Sequence, residues 1–208
     1  ELLADAETYG DARCSPIVQR DSAKPMDETQ LMPTELSTVI LSQRGWVRAA
    51  KGHDVDPAAM NYKSGDGYQS HATGKSNQMA VFLDSQGRTY TLPAHSLPSA
   101  RGQGEPLTGR FNPADGAQFV AVMLAESAAR YFLISDYGYG FICSAEDLYS
   151  RNKAGKKILT LPQGARVLPP VRIRSLDDEY IVAIGTAGHM LITPLAELPL
   201  MAKGKGIK

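Results

Sequence analysis

The sequence predicts an all-β fold, a propeller-like array of blades with a period of about 50 residues. Three features recur in step along its 208 residues. The first is a hairpin unit, in which two apolar runs flank a small or turn-forming residue, two variable residues and a Gly. It occurs as Val39-Ile-Leu-Ser42-Gln-Arg-Gly45-Trp-Val, Val81-Phe-Leu-Asp84-Ser-Gln-Gly87-Arg-Thr-Tyr90, Phe132-Leu-Ile-Ser135-Asp-Tyr-Gly138-Tyr-Gly-Phe141 and Val182-Ala-Ile184-Gly185-Thr-Ala-Gly188-His-Met-Leu. The second is a basic, glycine-containing loop after each hairpin, and the third is a Gly before a strand at Gly65, Gly116 and Gly164. Short Val/Ile/Phe-rich runs broken by Gly and Pro argue against helical repeats. A Gly at each tight turn supplies the positive φ that joins two strands.

From the N-terminus, residues 1–19 read as a helix end and exit segment. Leu2, Leu3 and Ala6 lie near one face, and Gly10 stands where a left-handed residue would stop the helix. The chain begins as if cut from a longer helical region. Residues 20–38, with Pro25, Pro33 and aperiodic polar residues, read as a linker. Residues 39–208 hold three full blades and the start of a fourth, open or incomplete as an array, so the domain is expected to continue past Lys208.

The 43% hydrophobic and 21% charged composition is that of a folded chain. There is no run of about 18 apolar residues, so no spanning helix is predicted. Cys14 and Cys143 form no CxxC pair, which argues against a disulfide framework or a zinc site and suits a reducing cytosol. The 22 basic and 22 acidic residues cancel, which at first argues against nucleic-acid binding. The sum conceals a split. Residues 1–38 carry eight acids and three bases, net −5, and residues 39–208 carry 19 bases and 14 acids, net +5.

The cations of the repeat array fall in loops. Arg48, Lys51, Gly52 and His53 follow the first hairpin, and Arg101, Gly102 and Gly104 the second. Arg151, Lys153, Gly155, Lys156 and Lys157 follow the third, and Lys203, Gly204, Lys205 and Lys208 the fourth. Glycine lets backbone N–H groups approach a phosphate, and neighbouring Lys and Arg supply charge. The bland reading of any one Lys/Arg run is a solvated face. Four in register favour a phosphate-binding rim, to which Lys63, Lys75 and Arg110 are added. Trp46 and Phe141 lie in hairpin strands and read as packing residues.

Several look-alikes are set aside. His71-Ala-Thr-Gly74-Lys75-Ser76 imitates the end of a phosphate-binding loop, but Gln69 occupies the position of its first Gly, so Lys75 reads as a loop cation. Arg130-Tyr131 has the form of a catalytic Arg-Tyr pair, yet Tyr131 enters an apolar run and reads as structural. Asp177-Asp178-Glu179 reads as a solvated turn, and His53, His71, His95 and His189 share no metal-ligand spacing. Cys143 reads as a buried small hydrophobe. No residue is assigned a catalytic or metal-binding role.

Several stretches resemble the C-terminal domain of bacterial type IIA topoisomerase A subunits. They are Tyr9-Gly-Asp-Ala-Arg13, Leu41 to His53, Leu97-Pro-Ser-Ala-Arg-Gly-Gln-Gly-Glu-Pro-Leu-Thr-Gly109, Arg151 to Lys157 and Lys203-Gly-Lys-Gly206. The resemblance is to topoisomerase IV more than to DNA gyrase, whose Q-R-R-G-G-[K/R]-G signature is absent. It implies a β-pinwheel of four-stranded blades with strands exchanged between neighbours. It also implies binding and bending of duplex DNA on a basic rim, for ATP-dependent strand passage by a cytoplasmic, nucleoid-associated parent. The rest of the A subunit, an ATPase B subunit, ATP and Mg²⁺ belong to that parent, and no cofactor is expected in this chain. The alternatives are a gyrase-type wrapping domain and a propeller-like scaffold that offers the same rim to a protein, with a free-standing enzyme a distant third.

Overall fold

The computed structural model describes residues 1–11 and 34–208, in two units, Glu1–Leu31 and Met32–Lys208. In the first, α1 (Leu2–Tyr9) buries none of its residues, and Leu2 and Leu3 are exposed. Gly10 ends it in an extended conformation (φ −68°), not the left-handed one the sequence predicts. A single bond from the Gly10 N–H to the Ala6 carbonyl closes the last turn, so no positive φ is required. Cys14, the rest of the exit segment and most of the predicted linker lie outside the described residues.

In the second unit the four hairpins form where predicted. They are β1–β2 (Leu36–Ser42, Trp46–Lys51), β4–β5 (Met79–Asp84, Arg88–Pro93), β8–β9 (Arg130–Ile134, Gly140–Ser144) and β12–β13 (Tyr180–Ile184, Met190–Pro194). The first strand begins at Leu36, earlier than position 39. Thr38 looks like linker in sequence, yet it is fully buried and donates its hydroxyl to the Gly52 carbonyl at 2.7 Å. The turn glycines have φ of 75–82°, a region that costs a side-chain-bearing residue strain.

A third strand follows each of the first three hairpins and adds to its first strand. β3 (Tyr68–Lys75) pairs with β1, β7 (Phe119–Ala125) with β4, and β11 (Val171–Ile173) with β8. The fourth strand of each blade comes from beyond the next hairpin. β6 (Glu105–Pro106) pairs with β2, and β10 (Lys156–Lys157) with β5. Leu200 and Ile207 bridge to Ile142 and Gly140 of β9. The result is two four-stranded sheets, β3-β1-β2-β6 and β7-β4-β5-β10, a three-stranded sheet edged by the C-terminal bridges, and the two-stranded β12–β13.

The core lies between blades. Ala80 and Phe82 of β4 pack with Val39, Leu41, Val47, Tyr90, Phe111 and Phe119. The alternate residues Val81 and Leu83 pack with Tyr131, Leu133, Phe141, Cys143, Leu148 and Leu159. A strand buried on both faces is a continuous apolar run, and Met79-Ala-Val-Phe-Leu83 is one. Phe141, Cys143 and Tyr131 are buried as the sequence predicts. Burial pushes the Tyr131 phenol and the Cys143 thiol each up to about 12. One short helix, α2 (Ala145–Leu148), is capped at its start by the Ser144 hydroxyl, which accepts from the Asp147 N–H.

Candidate nucleic-acid interface

The donated strands define one edge of each blade. Three chain segments there each cross the hairpin of the blade before their own, two residues beyond that hairpin's turn glycine. Gly104 lies on Val47, Gly155 on Thr89 and Tyr90, and Gly206 on Gly140. The three are 51 residues apart, and each has a φ of 72–84°. A Cβ would strike the Val47 carbonyl at Gly104, the Tyr90 ring at Gly155 and the Gly140 carbonyl at Gly206. These glycines are therefore explained by close strand crossing, a different reason from the phosphate approach the sequence suggests. Gly102 makes a turn, its N–H donating to the Ser99 carbonyl.

Exposed cations cluster along this edge. Arg101, Arg151, Lys153, Lys157, Lys203, Lys205 and Lys208 all have exposed side chains there. Lys205 and Lys208 stand over the Tyr139 ring, 3.8 and 5.7 Å from its centre. Lys63, from the loop before β3, stands 3.3 Å from the centre of the Trp46 ring. Trp46 is thus half-buried and capped by a cation rather than enclosed in the core. Lys156 is partly buried and donates to the Asp147 carbonyl at 2.6 Å.

Other predicted site residues are engaged elsewhere. Arg48 is 6% exposed, and its Nη1 reaches the Gly102 carbonyl at 3.4 Å. Its guanidinium lies 4.7 Å from the centre of the Tyr62 ring, and its Nη2 is buried with no partner. The 101–104 loop and Tyr62 thus cover most of Arg48. Lys51 pairs with Glu35 at 2.8 Å and Arg110 with Glu105 at 2.9 Å. His53 bonds the Gly74 carbonyl at 2.9 Å. Lys75 is the last residue of β3, at the opposite edge of its sheet from the donated strand, and is not a loop cation. The look-alike stretch from His71 is strand, because Ser70 to Lys75 pair with β1.

Arg88 is a cation the sequence reasoning missed. It directly follows the turn Gly87, pairs with Lys157 across β5 and β10, and donates from Nη1 to the Ala154 carbonyl at 3.3 Å. The missed signal was its place immediately after the turn glycine. The turn itself is locked: Asp84 Oδ1 accepts the Arg88 N–H at 2.8 Å and the Gln86 N–H at 2.9 Å. Ser42 does the same for the Trp46 N–H in the first blade, at 3.0 Å. That accounts for the small polar residue at this repeat position. In the same first turn, burial raises the Asp66 pKa. Hydrogen bonds from Ser42, Arg44 and Gly67 and the Arg44 charge outweigh burial and hold it below its usual value.

Among the described residues no group of three or more His, Cys, Asp or Glu lies together to hold a metal ion. Among the described residues no helix is long and apolar enough to cross a membrane.

Comparison with known proteins agrees with this architecture. The family described as "DNA gyrase C-terminal domain, beta-propeller" matches residues 130–173 and 179–208. All 208 residues align with the DNA topoisomerase 4 A subunit of Pseudomonas aeruginosa at 54% identity, and with that of Escherichia coli at 49%. The chain spans 28% of the length of each of these relatives. The structure of the E. coli ParC C-terminal domain superposes with a TM-score of 0.77 at 49% identity, over 84% of this chain and 71% of that one. A DNA gyrase A C-terminal domain shares the fold alone, with a TM-score of 0.63 at 16% identity over 83% of this chain and 60% of that one. Near-half identity, carried by a shared arrangement of strand-exchanging blades, means that this chain belongs to the family of C-terminal domains of DNA topoisomerase IV A subunits.

Proposed function

We propose that this chain is a non-catalytic DNA-binding domain that holds and bends duplex DNA along the edge formed by its donated strands. The observation that carries the reading is the register of that edge. Three segments that repeat every 51 residues cross successive blades there, and each carries exposed cations: Arg101 on the first, Arg151 and Lys153 on the second, and Lys203 and Lys205 on the third. Such contacts fix position without reading sequence. Bending a 20–30 bp stretch costs of order 1–6 kcal/mol, so several clamps are needed to offset it. In the parent protein the domain would position a duplex for ATP-dependent strand passage in the bacterial cytoplasm. Nucleotide, Mg²⁺ and the B subunit would then act outside these residues.

A DNA titration across a salt series tests this. Binding tolerant of sequence, with log Kobs falling by about 0.9 per phosphate neutralised for each unit of log[salt], is expected. Replacing Lys153 and Lys157 together by Ala should reduce that slope by about 2. Salt-independent binding by the unaltered protein would overturn the reading in favour of a protein partner.

A further inference from the structure

The residue that follows the turn glycine occupies the same place in each of the first three blades, yet its identity differs: Trp46, Arg88 and Tyr139. Each faces the donated strand. Trp46 pairs with Pro106 and Arg88 with Lys157, and the Gly140–Ile207 bridge sets Tyr139 beside Lys208. At every one of these places stands a cation, reached by a different route. In the first blade Lys63 lies on the Trp46 ring, 3.3 Å from its centre. In the second the residue is itself the cation, Arg88, steadied by the Ala154 carbonyl. In the third Lys205 lies on the Tyr139 ring at 3.8 Å, with Lys208 at 5.7 Å. Among the described residues no carboxylate lies within ion-pair distance of any of these four side chains.

An aromatic face holds an ammonium without neutralising it. A lysine seated on a ring has lost part of its rotamer freedom before any ligand arrives, and keeps its remaining donors for an anion. Ring and carbonyl therefore do the same work, fixing one positive charge per blade beside the turn. Equivalent places on successive blades form a repeating series, as a phosphodiester backbone followed along a curved duplex requires. The loop cations are less regular: the counterparts of Arg101 are Asn152 and Lys203.

We propose that in each of the first three blades the position after the turn glycine is a phosphate-contact seat, filled by Lys63, by Arg88 and by Lys205 with Lys208. The ligand is the phosphodiester backbone of duplex DNA, and Trp46 and Tyr139 are positioning residues. This rests on the DNA-binding reading above.

The test uses the full-length protein and a linear duplex of mixed sequence, with affinity measured across a salt series. Arg88→Ala and Lys63→Ala should each reduce the slope of log Kobs against log[salt] by about 0.9, and the double variant by about 1.8. Trp46→Leu should weaken binding as Lys63→Ala does and add nothing to it in the double variant, while Trp46→Phe restores the wild-type value. Tyr139→Leu should likewise weaken binding as Lys205→Ala does, while Tyr139→Phe keeps the wild-type value. Thermal unfolding of each variant identifies any ring substitution that acts through stability. The surface changes at Lys63 and Arg88 keep the test decisive if one does. A steep wild-type slope left unchanged by Arg88→Ala and Lys63→Ala overturns the seats and leaves the DNA-binding reading standing. A flat wild-type slope overturns both.

Discussion

Arg48 and Arg88 have the same charge and opposite fates, and neighbouring atoms decide which. Arg48 extends under the 101–104 loop, where Tyr62 and the Gly102 carbonyl enclose it, whereas Arg88 stays partly open beside Lys157. The turn that presents Arg88 depends on Asp84, which is fully buried and accepts the Tyr90 hydroxyl at 2.9 Å. Burial, followed by the hydrogen bond to Asp84, raises the Tyr90 phenol above its ordinary range, so Tyr90 donates as a neutral group at any physiological pH. Tyr90→Phe should cost about 1–3 kcal/mol, because the buried Asp84 Oδ2 loses its donor. Denaturant unfolding would measure it, and an unchanged midpoint would show that the bond contributes nothing.

Among the elements, the donated strand is the one that joins blade to blade. β10 is only two residues long, so its place on β5 depends on how closely the preceding Gly155 approaches Thr89 and Tyr90. At Gly155 a methyl group would meet the Tyr90 ring, and φ is 72°. Gly155→Ala should therefore destabilise by more than about 1 kcal/mol. Gly109→Ala, where nothing lies within 4 Å of a Cβ, should be close to neutral. Thermal unfolding of the two variants side by side checks this. Equal midpoints would mean that β10 docks without needing glycine at 155.

Across the whole second unit, burial declines along the chain. β4 is buried on both faces between its neighbours. Among the described residues no third or fourth strand pairs with β12–β13, and Val182, Ile184, Met190 and Ile192 are more than half exposed. In this 208-residue chain, amides of β12–β13 should exchange with solvent faster than those of β4–β5. Hydrogen exchange read residue by residue would show it. Equal protection in the two hairpins would contradict this account of the burial gradient.

Much of this was legible in the residues. Turn glycines, the polar residue three positions before them and the apolar runs act over a few bonds, so the hairpins and their period follow from local chemistry. The −5 and +5 charge split is likewise a property of the chain alone. What remained hidden depends on contacts between residues well separated along the chain. The pairing of β6 with β2 buries Arg48 and removes it from the edge. The folding of residue 63 back onto residue 46, and of 205 onto 139, sets lysines on rings that the sequence reads as packing or leaves unassigned. Local backbone preferences determine where a strand turns. Which cation ends beside that turn depends on which distant segment fills the edge, because that segment covers some charges and leaves others free.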